Sequence, residues 1–185
     1  MPLTLFDAPP PEPLRESQAA IYQRLAELGI SFLRVSHDYA ATMEDCLEIG
    51  QALGFPLCKN LFLCNRQQTE FYLLLLPGDK PFKTKYLSSQ LGVSRLSFAT
   101  EEALERLLHC VPGSASPLEL LFDREGRIRL AVDEELRQDP YLCCHPGYAD
   151  GTIRISAEDF HRYLASTGHE IEYVTLPREE NLSDN

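Results

Sequence analysis

The strongest constraint on the fold is a pair of apolar segments joined by a short polar turn. The segments cover residues 60–65 and 70–76, and the turn between them is Arg-Gln-Gln-Thr at residues 66–69. Segments of this length with a polar connection predict a β-hairpin. Both arms are more apolar than strands with one wet face, so they predict a sheet that is covered on both sides.

Helices are predicted around this hairpin by apolar residues that recur at helical spacing. The predicted helices cover residues 14–28, 42–53, 84–91, 101–108 and 157–165. Thr42, Thr84, Thr100 and Ser156 stand at the starts of four of them and are typical N-terminal caps. Further single strands are predicted at residues 31–35, 95–98, 141–144, 152–155 and 170–175.

A second hairpin is predicted in the middle of the chain. The apolar run at residues 118–122 is typical of a buried strand, and strands at residues 119–123 and 127–132 would flank an Arg-Glu-Gly turn. Hairpins mixed with single helices are typical of the α+β class. The sequence therefore predicts one α+β domain with a mixed, largely antiparallel sheet that is flanked by helices.

The domain is expected to cover residues 14–177. The first 13 residues contain five prolines and predict an extended or disordered lead-in, and residues 178–185 predict a flexible tail. No run approaches the roughly 18 apolar residues of a membrane span. The N-terminus lacks the basic-then-apolar pattern of a signal peptide. A cytoplasmic protein without membrane contacts is expected.

Cysteine spacing and net charge limit the classes of function. The six cysteines form no C-x-x-C pair, and most have apolar neighbours, so they are interpreted as small core residues in a reducing compartment. The net charge of −11 argues against broad, sequence-independent binding of nucleic acid. A local contact with one end of an RNA remains compatible with it.

The first candidate site is a loop of small residues between two prolines, PGSASP at residues 112–117. Small side chains leave backbone N–H groups uncovered, Gly113 tolerates φ values that other residues avoid, and the prolines stiffen both ends. A loop of this kind suits an oxyanion or a carboxyl-derived group. The alternative is an ordinary turn.

Lys59 and His145 are the two candidate side chains. Lys59 precedes an apolar strand, where its ammonium could meet a phosphate or a carbonyl; the alternative is a surface lysine. His145 precedes Pro146, which restricts it to an extended conformation. A neutral imidazole there could orient a water or a hydroxyl, and the alternative is a half-buried histidine bonded to a loop carbonyl. The other histidines are weaker candidates. They are His37, and His109, His161 and His169, for which surface positions are expected.

No hydrolytic signature is present in the sequence. There is no G-x-S-x-G elbow, no H-E-x-x-H and no Walker loop. Ser114 and Ser116 would need a base beside them, and no pair of carboxylates stands out. An enzyme of this sequence is therefore expected to use positioned water and backbone electrostatics rather than a covalent intermediate.

Several segments, in order, resemble the aminoacyl-tRNA editing domains of the YbaK type, which are related to the insertion domain of bacterial prolyl-tRNA synthetase. The resemblance extends from about residue 18 to residue 175. The segments are KNLFL at 59–63, YLL at 72–74, PGDK at 77–80, LG at 91–92, RLSF at 95–98, PGSASP at 112–117 and HP at 145–146.

The resemblance implies a trans-acting hydrolase of the aminoacyl ester at a tRNA 3′ end, most often alanine on proline tRNA, without metal or organic cofactor. Lys59 would hold the ester or a nearby phosphate, and His145 would shape the amino-acid pocket or place a hydroxyl. The ribose hydroxyl of the substrate would help to position the water. The remaining implied residues are the oxyanion-binding amides of Gly113, Ser114, Ala115 and Ser116, and the substrate contacts Asn60, Pro117, Pro146 and Asp150.

The implied partner is the 3′-terminal adenosine of an aminoacylated tRNA, with prolyl-tRNA synthetase as a further candidate, for a monomer or a weak dimer. The chain departs from the family pattern at Gly147 and Ala149, where leucine and asparagine are usual, and at Leu57-Cys58, where His-Thr is common. Two alternatives therefore stay open. One is a deacylase for serine, cysteine or threonine; the other is a non-catalytic module that binds aminoacyl-tRNA or an amino acid.

Overall fold

The computed structural model describes residues 3–39 and 42–178. The predicted tail from residue 179 onward and the first two residues of the lead-in lie outside this range. The strands are β1 Leu5–Phe6, β2 Leu33–Ser36, β3 Cys58–Cys64, β4 Phe71–Pro77, β5 Ser97–Phe98, β6 Ile128–Asp133, β7 Tyr141–Cys144, β8 Gly151–Ser156 and β9 Ile171–Val174. The helices are α1 Glu16–Glu27, α2 Met43–Leu53, α3 Thr84–Leu91, α4 Glu101–Ala103 and α5 Ala157–Thr167.

Three shorter helical segments complete the described structure. A π-helical turn, Leu104–Leu108, continues α4, and Pro117–Phe122 and Glu134–Leu136 are 3-10 helices. None of the helices in the described ranges is both long and apolar enough to cross a membrane.

The strands form two sheets. One has the order β1-β2-β8-β7 and is antiparallel throughout. The other has the order β5-β3-β4-β6-β9, in which β6 runs parallel to both of its neighbours. The prediction of a single α+β domain with mixed, largely antiparallel pairing is confirmed, with the strands divided between two sheets rather than joined in one.

The first predicted hairpin is confirmed as β3 and β4, which pair from Cys58↔Pro77 to Cys64↔Phe71. Asn65 closes the turn, since its Oδ1 accepts from the N–H groups of Thr69 at 2.8 Å and Glu70 at 3.1 Å. Strand β4 is buried on both faces, as its apolar sequence predicts. One face contributes Phe71, Leu73 and Leu75 to one core cluster, and the other contributes Tyr72, Leu74 and Leu76 to a second.

The predicted second hairpin is wrong. Residues Pro117–Phe122 form a 3-10 helix that begins at Ser116, whose Oγ accepts from the Leu118 N–H at 3.2 Å. Proline suits the first turn of a helix because it has no N–H to leave unpaired. Strand β6 then pairs in parallel with β4, from Phe71↔Ile128 to Leu75↔Val132, instead of turning back on residues 119–123.

Three of the four predicted helix caps are confirmed, and the exception is Thr84, which is the first residue of α3 rather than its cap. The hydroxyls of Thr42, Thr100 and Ser156 each accept, at 3.1 Å, from the backbone N–H three residues later. Such caps satisfy N–H groups that have no partner inside the helix. The lead-in also takes part in the fold, because β1 pairs with β2 and the Arg34 guanidinium lies 4.4 Å from the centre of the Phe6 ring.

The cysteines are free thiols. Cys64, Cys110, Cys143 and Cys144 are buried, as predicted, and the other two are half-buried. Burial raises the pKa of Cys58 and of Cys143 to about 12. These thiols are therefore protonated near neutral pH and are poor nucleophiles.

Candidate functional site

A cleft of about 870 Å³ is lined by residues from both sheets. Lys59 and Asn60 reach it from β3, and Cys143 reaches it from β7. Gly113 and Ala115 of the proline-flanked loop also line it, as does His145. Five of the predicted site residues are thus brought together: Lys59, Asn60, Gly113, Ala115 and His145.

Lys59 and Asn60 present polar groups to this cleft. The Lys59 Nζ donates to the backbone oxygen of Lys80 at 2.6 Å, so the ammonium is held by a neutral carbonyl. The Asn60 amide nitrogen donates to the Cys58 oxygen at 3.3 Å. The Asn60 Oδ1 is buried and has no hydrogen-bond partner in the described part of the chain. A buried acceptor without a partner is costly, so this oxygen lowers the stability of the folded chain.

The carbonyl that holds Lys59 belongs to a turn anchored by buried charge. The Lys80 side chain is 2% exposed, and its Nζ lies 2.6 Å from Asp133 Oδ2 and 2.5 Å from Glu135 Oε2. The Arg178 Nε donates to Glu135 at 2.7 Å. Hydrogen bonds from Lys80 and then from Arg178 lower the pKa of Glu135. We call Lys80, Asp133 and Glu135 the charged support. Its signal in the sequence is the PGDK segment at residues 77–80, but the segment by itself does not indicate a role for its lysine.

The two serines of the loop serve local structure. Both are fully buried and neither lines the cleft. The Ser114 Oγ accepts from the Ala149 N–H at 3.1 Å, and Ser116 caps the 3-10 helix. The Ser114 N–H is also occupied, since it donates to the Val111 oxygen at 3.0 Å. Of the predicted oxyanion amides, those of Gly113 and Ala115 belong to residues that line the cleft.

Gly113 has a φ of +85° and lies against Tyr39, which sequence reasoning missed. A Cβ on Gly113 would lie 2.8 Å from the Tyr39 Cζ, and the Tyr39 hydroxyl donates to the Pro112 oxygen. Tyr148 packs edge-on against Tyr39 at 6.4 Å, and the Arg15 guanidinium lies 3.6 Å from the Tyr148 ring centre. Both the left-handed backbone and this contact require glycine at position 113.

His145 lines the cleft and is bonded on its far side. Its Nδ1 lies 2.9 Å from the Gly151 oxygen. Burial is the main cause of a lowered pKa, which keeps the imidazole neutral at neutral pH. His145 therefore lines the cleft, as one interpretation of the sequence predicts, and is also bonded to a loop carbonyl, as the alternative interpretation predicts.

The remaining predicted contacts lie outside the cleft lining. Asp150 faces α1, where it accepts from Arg15 Nη1 at 3.2 Å and from Gln18 Nε2 at 3.1 Å. Pro117 starts the 3-10 helix and Pro146 is buried. The structure therefore does not bring Ser114, Ser116, Pro117, Pro146 and Asp150 into direct contact with the cleft.

The other histidines differ from one another. His109 and His161 are exposed, as predicted. The prediction of a surface position for His169 is wrong, because this residue is 8% exposed and its Nε2 lies 2.8 Å from Asp123 Oδ2. His37, at the end of β2, lies near His145, with the two ring centres 6.0 Å apart.

Over residues 37–163 the sequence matches the family model of the aminoacyl-tRNA editing domain, which is more than half of its 185 residues. The chain belongs to this family. The resemblance drawn from the short segments is thereby confirmed.

Similar proteins carry related names. The chain is 27% identical over 161 residues to the prolyl-tRNA editing protein ProX of Acetoanaerobium sticklandii, covering 87% of this chain and 98% of that protein. It is 32% identical over 159 residues to prolyl-tRNA synthetase associated domain-containing protein 1 of Bos taurus, covering 84% and 92%. A crystal structure provisionally assigned as a trans-editing enzyme for prolyl-tRNA synthetase shares the fold, with a TM-score of 0.62 and 19% identity over 89% of this chain and all of that one.

Proposed function

We propose that this chain hydrolyses, in trans, the aminoacyl ester of mischarged tRNA, with alanine on proline tRNA as its substrate. The observation that carries the proposal is the convergence of three groups on one cleft. They are the ammonium of Lys59, the backbone of Gly113 and Ala115, and the neutral imidazole of His145. Membership of the editing-domain family and the names of the relatives support the same reaction.

In this proposal Lys59 binds the anionic end of the tRNA. Its ammonium is held by a carbonyl, and no carboxylate among residues 3–39 and 42–178 forms an ion pair with it, so its positive charge remains available to a substrate. A phosphate or the ester oxygen can then form a charge-assisted hydrogen bond with it. The same arrangement supplies a basic contact at one point of a chain whose net charge is −11.

The amides of Gly113 and Ala115 would stabilise the oxyanion that forms when water attacks the ester. Preorganised donors at this point are worth several kcal/mol in enzymes that use them, about 3–4 for a single donor. The buried serines offer no nucleophile to the cleft, so the attacking group is a water, positioned by His145 and by the substrate's own ribose hydroxyl.

Selection of alanine would depend on the size of the pocket. A synthetase site for proline rejects a smaller amino acid weakly, because a missing methylene changes binding by only about 1–3 kcal/mol. A second site that admits alanine and excludes proline supplies the missing discrimination. Ala149, where the family pattern has asparagine, is buried and lies outside the cleft lining.

The test is the hydrolysis of purified alanine-charged proline tRNA, beside serine-, cysteine- and threonine-charged tRNAs. We expect protein-dependent release of alanine from its tRNA. Release of another amino acid instead would show the same deacylation reaction with a different substrate specificity. Lys59→Ala should abolish turnover, whereas Lys85→Ala on the exposed surface of α3 should not. Unchanged turnover in Lys59→Ala would remove that residue from the site.

The second candidate is a non-catalytic module that binds aminoacyl-tRNA or an amino acid, which the departures from the family pattern at Gly147 and Ala149 favour. Retained binding of aminoacyl-tRNA without hydrolysis of any of the four esters would establish this candidate instead.

A further inference from the structure

A chain of hydrogen bonds leads from His145 away from the cleft and ends at His37. Thr152 lies between them, with its Oγ1 3.3 Å from His145 Nδ1 and 2.8 Å from His37 Nε2. Thr152 is fully buried. Beyond it, the His37 Nδ1 lies 2.6 Å from the Asp38 backbone oxygen. Two imidazoles are thus joined through one buried hydroxyl.

Backbone carbonyls at both ends decide where the protons lie. A carbonyl only accepts, so the nitrogens that face the oxygens of Gly151 and Asp38 must donate. The Nδ1 atoms of His145 and His37 therefore both carry hydrogen. In a neutral ring the other nitrogen is then an acceptor, which makes His37 Nε2 the acceptor for the Thr152 hydroxyl.

The Thr152 hydroxyl can take only one orientation between the two rings. Thr152 donates its single hydrogen to His37 and accepts from His145 Nδ1–H, which also bonds the Gly151 oxygen. While both rings are neutral, both nitrogens of His37, the Thr152 hydroxyl and the Nδ1 of His145 all have hydrogen-bond partners. The Nε2 of His145 is left without hydrogen, and none of the hydrogen bonds in the described ranges uses it.

We propose that His37 and Thr152 are positioning residues that hold His145 as its Nδ1–H tautomer, so that Nε2 is an unprotonated acceptor for a substrate hydroxyl or the attacking water. This inference rests on the proposed function, which supplies that hydroxyl or water. Neither His37 nor Thr152 lines the cleft itself, so both act through His145.

Protonation would break this order. A proton on His37 Nε2 turns that atom into a donor, so the Thr152 Oγ1 would accept from it and the hydroxyl hydrogen would lose its acceptor on His37. Asp150 favours a proton on His145, and Arg15 is bonded to Asp150. His37 itself opposes a proton on His145.

The first test compares Thr152→Val, Thr152→Ser, His37→Phe and the control His109→Gln, whose exposed ring stacks on Phe122. Valine keeps the shape of threonine and removes the hydroxyl. We expect kcat to fall about tenfold to a hundredfold in Thr152→Val and His37→Phe, as for other partners that orient a functional histidine, with little change in KM. Thr152→Ser should restore kcat, and His109→Gln should match the wild type.

The second test reads the tautomer directly and needs no substrate. Nitrogen-15 NMR of the imidazole rings distinguishes protonated from bare nitrogens, and His145→Gln assigns the signals. We expect bare Nε2 on His145 in the wild type and a larger share of the Nε2–H form in Thr152→Val.

The outcomes separate the two proposals. An Nε2–H tautomer in the wild type would overturn the positioning role, and so would full kcat in Thr152→Val and His37→Phe. A wild type that shows the bare Nε2 but hydrolyses none of the four esters would uphold the tautomer assignment and refute the proposed function.

Discussion

The two side chains of the candidate site are supported in opposite ways. Lys59 depends on the charged support, in which a buried lysine and two carboxylates anchor the turn whose carbonyl accepts from Nζ. His145 depends on a neutral chain through Thr152 to His37. Neither cleft residue is paired directly with a carboxylate in the described structure.

The difference shows how a site can keep one group charged and the other neutral. Asp133 and Glu135 are occupied by Lys80, so they do not neutralise the charge that Lys59 offers to a substrate. A carboxylate bonded to His145 would favour its protonated form. A hydroxyl and a carbonyl orient the ring without that effect, so the imidazole stays an acceptor.

The largest expected effect is on the charged support. Lys80→Met leaves the Asp133 carboxylate buried without its ion-pair partner, and breaking a buried pair in this way costs about 3–5 kcal/mol in the free energy of unfolding. Urea unfolding measures it. The double variant Lys80→Met/Asp133→Leu should recover part of the loss, and Arg178→Ala, at the exposed edge of the same network, should leave the midpoint unchanged. Equal losses in Lys80→Met and Arg178→Ala would contradict the buried role of Lys80.

A smaller effect is expected where the proline-flanked loop meets Tyr39. Gly113→Ala should cost about 1–2 kcal/mol for its left-handed backbone, and the contact with the Tyr39 ring should add to this. Gly126→Ala is the matched control, because its φ is +66° but an added Cβ there would meet no heavy atom within 4 Å. If the two variants are equally stable in urea, the contact with Tyr39 is unimportant. Deacylation should fall only in Gly113→Ala.

The neutral chain should be worth less to stability than the charged support. Thr152→Val removes a buried hydroxyl that links two rings, and a net loss of about 1 kcal/mol is typical of one such hydrogen bond. Thermal unfolding beside Lys80→Met gives the ratio of the two effects. If Thr152→Val lost as much stability as Lys80→Met, the hydrogen-bonded chain from His145 to His37 would have to carry charge.

The smallest effect is a pH dependence. The pKa of His145 is lowered in the folded state, mainly by burial, so below its ordinary value of 6.5 the unfolded chain binds more protons at this residue. Its contribution to stability is therefore present above pH 6.5 and is lost as the pH falls below that value. Burial raises the pKa of Glu119, which acts with the opposite sign.

The contribution of Glu119 cancels in the difference between wild type and His145→Gln. Urea unfolding at about pH 7.5 and at about pH 5 gives the free energy of unfolding of the wild type minus that of the variant. This difference should become smaller as the pH falls, and the range of about 2.5 pH units is wide enough to titrate an imidazole. A difference that is constant with pH would show that His145 titrates alike in both states.

Local sequence determined much of this protein. The caps of three helices and the turn at Asn65 each depend on atoms within five residues of one another, so they were predictable from short patterns. The all-apolar β4 was predictable as a doubly covered strand because a short polar turn joins it to a second apolar segment in a hairpin. Residue types and the family resemblance likewise predict Lys59, Gly113 and His145 as site candidates.

Only the tertiary structure decided how distant segments meet. The apolar run at residues 118–122 suits either a buried strand or a buried helical turn, and it is the parallel pairing of β6 with β4 that excludes the hairpin. Thr152 meets His37 from 115 residues away, and Asp133 meets Lys80 from 53. Such contacts leave no periodic trace in a single sequence, because they are specified by the packing of whole elements, and the two supports of the site consist of them.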